Sequence, residues 1–136
     1  MSRDGSVSFA WGDGEHRFRL AIGEWRELQE KTGVGPAELL QRVSTGRWRV
    51  DDIRETLRVG LIGGGMKPLE ALGLVTRYVD VFPLMDNVPA AQAVLITALV
   101  GPPEEPVGKR EPAEATTEAT EMDASPSPNS MAPEPS

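Results

Sequence analysis

Val7, Phe9 and Trp11 alternate with Ser8 and Ala10, so this stretch has one apolar face, as a half-buried strand does. Gly12-Asp13-Gly14 comes next, residues that tolerate the positive φ of a tight turn. Phe18 and Leu20 then alternate with Arg17 and Arg19, which predicts a second strand and a hairpin over the first 20 residues. Two strands alone are marginal in water, so their apolar face must pack on the rest of the chain.

From about residue 23 the apolar spacing becomes helical. A first helix is predicted from about Gly23 to Thr32, with Trp25 and Leu28 on one face and Gly33 ending it in the left-handed conformation. A second starts at Pro36, where the missing N–H costs nothing, carries Leu39, Leu40 and Val43 inward, and stops near Gly46. A third begins at Asp51-Asp52, with Asp52 and Glu55 spaced as a capping box, and repeats Ile53, Leu57 and Leu61 on one face. Gly63-Gly64-Gly65 ends it, since each glycine carries a helix penalty of roughly 1 kcal/mol. Pro68 opens a fourth helix with a predicted core stripe of Leu69, Leu72, Val75 and Val79, extended by Tyr78 and Phe82 and stopped by Pro83. Asp86 or Asn87 caps a fifth beginning near Pro89. From Ala90 to Val100 only Gln92 and Thr97 are polar, which predicts a helix either central in its domain or completed by another protein.

From Pro102 onward the pattern ends. The last 35 residues hold eight of the twelve prolines and, of large aliphatics, only Val107, a composition that buries too little apolar area to offset chain entropy. The expectation is therefore an α+β, mostly α domain over residues 5–101, with the N-terminal β-hairpin packed on about five short helices. A disordered acidic tail over 102–136 completes the chain. The formal charge of -7 belongs to that tail, because the preceding 101 residues carry 12 Lys/Arg against 13 Asp/Glu. A near-neutral domain lacks the concentrated basic surface that phosphates demand, so nucleic acid is an unfavoured partner.

Little in the chain suggests chemistry. There is no cysteine, so neither a disulfide framework nor a thiolate metal site is possible. The single histidine, His16, is expected at an exposed strand position beside charged neighbours. No catalytic residue, metal site or cofactor is therefore assigned. Gly60 through Lys67 resembles a phosphate cradle only superficially, since it comes after a helix and Lys67 precedes Pro68 rather than Ser or Thr. No apolar run reaches the roughly 18–20 residues of a membrane helix, and the polar start lacks the order of a signal peptide. A cytoplasmic, soluble protein is expected. Arg47-Trp48-Arg49 could stack on or contact phosphates, but Asp51, Asp52 and Glu55 largely cancel the local field, so a packed Trp48 between solvated arginines is the plainer reading.

The order of features resembles a known family. "LAIGEWRELQEKTGVGPAELLQRVSTGRWRVDDIRETLRVGLIGGGM", "PLEALGLVTRYVD" and "PLMDNVPAAQAVLITALVG" are similar to the small gene-transfer-agent family proteins encoded among phage tail genes. The resemblance covers Val7 to Gly101 and is most specific at Gly33–Leu39, Arg47–Met66 and Ala98–Gly101. It implies a phage tail assembly chaperone of a gene transfer agent or prophage, a label that alternates in this family with phage tail tube protein. The implied partners are the tape measure protein and tail tube protein, with self-association also possible. One hairpin followed by helices suits the chaperone label better than a β-rich ring subunit. A structural tail component remains the alternative, and a small nucleic-acid-binding regulator acting through Arg47-Trp48-Arg49 a weaker one. A chaperone for amphipathic helices needs accessible apolar surface. The candidate partner-binding residues are Leu61, Ile62 and Met66, then Val94, Leu95 and Leu99 of the fifth helix, with Arg47, Trp48 and Arg49 as a polar adjunct.

Overall fold

The alternation at the N-terminus does produce a hairpin. In the computed structural model, which describes residues 4–101, β1 (Val7–Trp11) pairs antiparallel with β2 (Gly14–Phe18), Val7 facing Phe18 and Trp11 facing Gly14 across a two-residue turn. Gly12 adopts φ +66°, and the ring of Tyr78 lies where a side chain at Gly12 would have to go. The apolar face is aromatic: Phe9 stacks on Phe18 at 4.7 Å between centroids, and Trp11 meets Phe18 and Tyr78 edge-on. The pairing stops at Phe18 rather than reaching Leu20. Beyond it the Arg19 N–H donates instead to the carbonyl of Gly60, carrying the chain onto a helix.

The helices are α1 (Ile22–Thr32), α2 (Pro36–Ser44), α3 (Val50–Gly63), α4 (Pro68–Tyr78) and α5 (Val88–Val100), the last preceded by a 3-10 turn at Leu84–Asn87. The expected tail, 102–136, lies outside the described residues. Gly33 closes α1 with φ +80°, and Pro36 and Pro68 each sit in a first helical turn. The central element is α3, which packs on α1, α2, α4, α5 and β2. Eight of its residues are buried, from Asp52 to Leu61. The apolar α5 also lies in the core, through Ala91, Val94 and Leu95 against α2, α3 and β1.

Three local expectations need correcting. α3 begins at Val50, and Asp52 sits at its third position, where its carboxylate accepts the Arg49 backbone N–H at 2.8 Å. Glu55 is thus not half of a capping box but a buried carboxylate bound by Arg58. The inward stripe of α4 is Ala71, Leu74, Val75 and Val79, leaving Leu69 80% and Leu72 42% exposed. This helix is apolar on most sides, so its periodicity is ambiguous, and neighbouring α3 selects the buried face. α4 also ends at Tyr78, before Pro83, because the Val79 and Asp80 N–H groups both close on the Val75 carbonyl.

The glycine run does more than end a helix. A Cβ on Gly63 would overlap the carbonyl oxygen of Arg19, and one on Gly64 that of Arg17. Gly60 has Phe18 and Val94 at 3.3 Å from the same hypothetical atom. The last turn of α3 therefore rests directly on the backbone of β2 and its extension, a distance only glycine permits.

Ion pairs organise the flanks of α3. Arg58 joins Glu55 of its own helix at 2.6 Å to Glu27 of α1 at 3.1 Å, while Arg54 grips Asp80 with two bonds of 2.8 and 3.0 Å. The Arg54 guanidinium holds the Asp80 carboxyl below the usual carboxylate range. At the other end, buried Asp52 accepts from Arg42 at 2.9 Å, and Arg42 and Arg49 both donate to the Thr32 carbonyl at the end of α1.

Gly63→Ala is expected to destabilise the fold by at least about 2 kcal/mol, because the added methyl meets unyielding backbone. Gly73→Ala, where a Cβ meets nothing within 4 Å, is expected to stabilise α4 by about 0.5–1 kcal/mol; urea unfolding of both variants checks the contrast. Because Asp80 has a depressed pKa, its contribution is present above the unfolded value of 3.8 and is lost as pH falls through the lower folded value. Asp80→Asn should therefore lower stability at neutral pH by no more than about 1 kcal/mol, the pair being partly solvated. The difference from wild type should shrink as pH falls below 3.8 and vanish once Asp80 is protonated in the folded state, as read by thermal unfolding across a pH series.

Candidate interaction surface

The residues singled out from the sequence divide between core and surface. Leu61, Val94 and Leu95 are at most 1% exposed and fill the interior between α3 and α5. Their apolar surface is met within the chain. Ile62 and Met66 are half-buried at the edge of that core, and Leu99 opens to solvent beside exposed Val100. The fold therefore does not bring these six into one patch.

Arg47, Trp48 and Arg49 also part company. Trp48 packs against the core, half-buried. Arg49 turns its guanidinium to the Thr32 carbonyl at 3.1 Å, on the negative end of α1. Arg47 points outward over a 560 Å³ cleft shared with Ala37, Glu38, Gln41, Arg42 and Thr45. Arg42 in that cleft is already bound to Asp52, and Glu38 shares the lining with Arg47, so the cleft is not a basic surface. His16, expected to be exposed, is half-covered: it lies edge-on to Trp11 and bonds Asp13 at 2.7 Å. That hydrogen bond lowers the pKa of Asp13. Among the described residues no group of three or more His, Cys, Asp or Glu is placed to hold a metal ion, and no helix is long and apolar enough to cross a membrane.

A cluster of exposed apolar side chains comes just after α4. Val81, Phe82 and Met85 are 70%, 51% and 65% exposed within five residues. This ledge is held from below. The Phe82 ring stacks parallel on Tyr78 at 6.3 Å, Tyr78 meets Trp11, and the Trp11 Nε1–H donates to the Asn87 side chain at 2.7 Å. The Asn87 amide in turn donates to the Tyr78 carbonyl at 3.0 Å. Asn87 stands at the start of α5, as expected of a cap, but its side chain ties the ledge to the hairpin instead. Ala10, Trp11, Gly12, Tyr78, Phe82, Asp86 and Asn87 line a 350 Å³ cleft beside it.

A second exposed face runs along α4. Leu69, Glu70, Leu72, Thr76 and Arg77 are exposed around half-buried Gly73, with Met66, Asp13 and His16 beside them across a groove of 350 Å³. Of the sequence candidates only Met66 borders either surface. The ledge had a signal, since Val81-Phe82-Pro83-Leu84-Met85 is unusually apolar for a segment interrupted by proline. The α4 face had none, because its leucines fit the inward stripe equally well.

Comparison with curated proteins and with solved structures finds no match. A model of the family described as "Phage tail tube protein, GTA-gp10" matches residues 4–101, the whole of the described domain. The chain thus belongs to the GTA-gp10 phage tail tube protein family, and its role is associated with the tail of a phage or gene transfer agent.

Proposed function

We propose that this chain is a non-catalytic tail assembly chaperone, which transiently covers apolar helical surface on the tape measure protein until tube subunits replace it. The observation that carries this reading is the ledge of Val81, Phe82 and Met85. Clustered apolar side chains that remain open on a folded domain mark interaction surfaces. An amphipathic client helix offers the matching apolar stripe. Phe82 and Met85 suit a varied client, the ring supplying area and the unbranched thioether adapting to different shapes. The tail-associated family supports the setting, and the proposed compartment is the cytoplasm of the producing cell.

A structural role in the tube is the second reading, and membership of the family does not distinguish it from the first. Against it stands the strand content of the described residues, one two-stranded sheet, where a ring-forming tube subunit would be expected to offer several long strands. The two readings differ in where the protein ends up.

Co-expression with the tape measure protein of the same tail gene cluster separates them. A chaperone should raise the soluble yield of that protein severalfold and be absent from purified particles. Val81→Ser/Phe82→Ser/Met85→Ser should abolish the gain while leaving the variant folded, since these side chains are largely exposed and surface changes seldom exceed about 0.5 kcal/mol each. Stoichiometric presence in particles, with no effect on client solubility, would establish the tube reading instead.

A further inference from the structure

Gly73 is the one glycine in the middle of a described helix whose absence of a side chain nothing among the described residues explains. Gly63 of α3 lies against the Arg19 backbone and Gly60 has the Phe18 and Val94 side chains at 3.3 Å from a hypothetical Cβ, whereas a Cβ on Gly73 would meet nothing within 4 Å. A glycine there costs α4 roughly 1 kcal/mol relative to alanine. Its backbone lies at the centre of the exposed α4 face, and glycine at such a position lets another backbone approach closely.

The charges on this face are arranged symmetrically about that glycine. Glu70 stands three residues before it and Arg77 four after, so the two lie on one stripe, two turns or about 10.5 Å apart. Among the described residues neither side chain is in an ion pair; the Arg77 guanidinium lies 5.7 Å from the centre of the adjacent Tyr78 ring. The neighbouring hairpin wall adds Asp13, already bonded to His16, and Lys67 stands at the start of the helix. Leu69 and Leu72 flank the stripe, 80% and 42% exposed.

We propose that a second copy of this chain covers the α4 face, the two helices packing antiparallel about a two-fold axis near Gly73. In that arrangement Glu70 of each copy faces Arg77 of the other, giving two reciprocal ion pairs. Leu69 and Leu72 are buried on either side of the crossing. The surface is self-complementary, as an isologous contact requires. A parallel arrangement would instead set Glu70 against Glu70 and Arg77 against Arg77. The interface is distinct from the ledge, so it does not depend on the chaperone reading. An 11-residue helix pair falls short of the roughly 1,200 Å² of standard interfaces. The dimer is therefore weak and concentration dependent.

Sedimentation velocity of the full chain over a concentration series tests this. Wild type should pass from monomer to dimer, and Glu70→Arg or Arg77→Glu alone should weaken association at least tenfold. An equimolar mixture of the two single variants should restore it, because each of the two charge contacts then pairs one arginine with one glutamate. The double swap Glu70→Arg/Arg77→Glu should restore it as well. Gly73→Leu should abolish it, with circular dichroism confirming that each variant is folded. A wild type that stays monomeric throughout overturns the proposal. So does a dimer or larger ring that is indifferent to the single charge reversals, or single variants that fail to recover when mixed.

Discussion

Gly63 and Gly64 bring the last turn of α3 against the carbonyls of Arg17 and Arg19, and most of the remaining packing is arranged around that approach. It sets the hairpin across the end of the central helix, with the Arg19 N–H bonded to the Gly60 carbonyl. Phe18 is then driven fully into the core, where it stacks on Phe9 and meets Trp11. Trp11 in turn reaches Tyr78 and Asn87, which fixes the end of α4 and the start of α5. A two-stranded sheet has little stability of its own. This one owes its place to a backbone contact that no side chain could occupy.

The charged residues are organised around the same helix. Two buried carboxylates, Asp52 and Glu55, stand on α3 one turn apart, and each is met by arginine. Arg42 reaches Asp52 from α2, and Arg58 extends from Glu55 to Glu27 on α1. Removing one partner from such a pair leaves an uncompensated buried charge, which is far more costly than the pair is stabilising. The arginines near Arg47-Trp48-Arg49 therefore serve largely as braces between helices, and the field available to an external phosphate is correspondingly small.

The apolar surface left open by folding is informative. It includes the ledge on Val81, Phe82 and Met85 and the α4 face around Gly73. Both lie on or just after α4. A tail protein that must hold a client and also meet other copies of itself would be served by two such surfaces.

The amino-acid sequence by itself determined the elements, because they are set locally. Alternation built the hairpin, Pro36 and Pro68 started helices, Gly33 ended one, and the resemblance over Val7–Gly101 pointed to the family that residues 4–101 match. Tertiary structure alone decided which apolar residues are buried. In α4 the leucines fit two overlapping stripes of helical period, and only the position of α3 made Leu74 internal and Leu69 external. In α5 an almost wholly apolar helix could have been core or interface. Contact with α2, α3 and β1 buried Val94 and Leu95 and left Leu99 at the surface. Periodicity reports that a helix has an apolar face, but the choice among several candidate faces depends on neighbours distant in the chain.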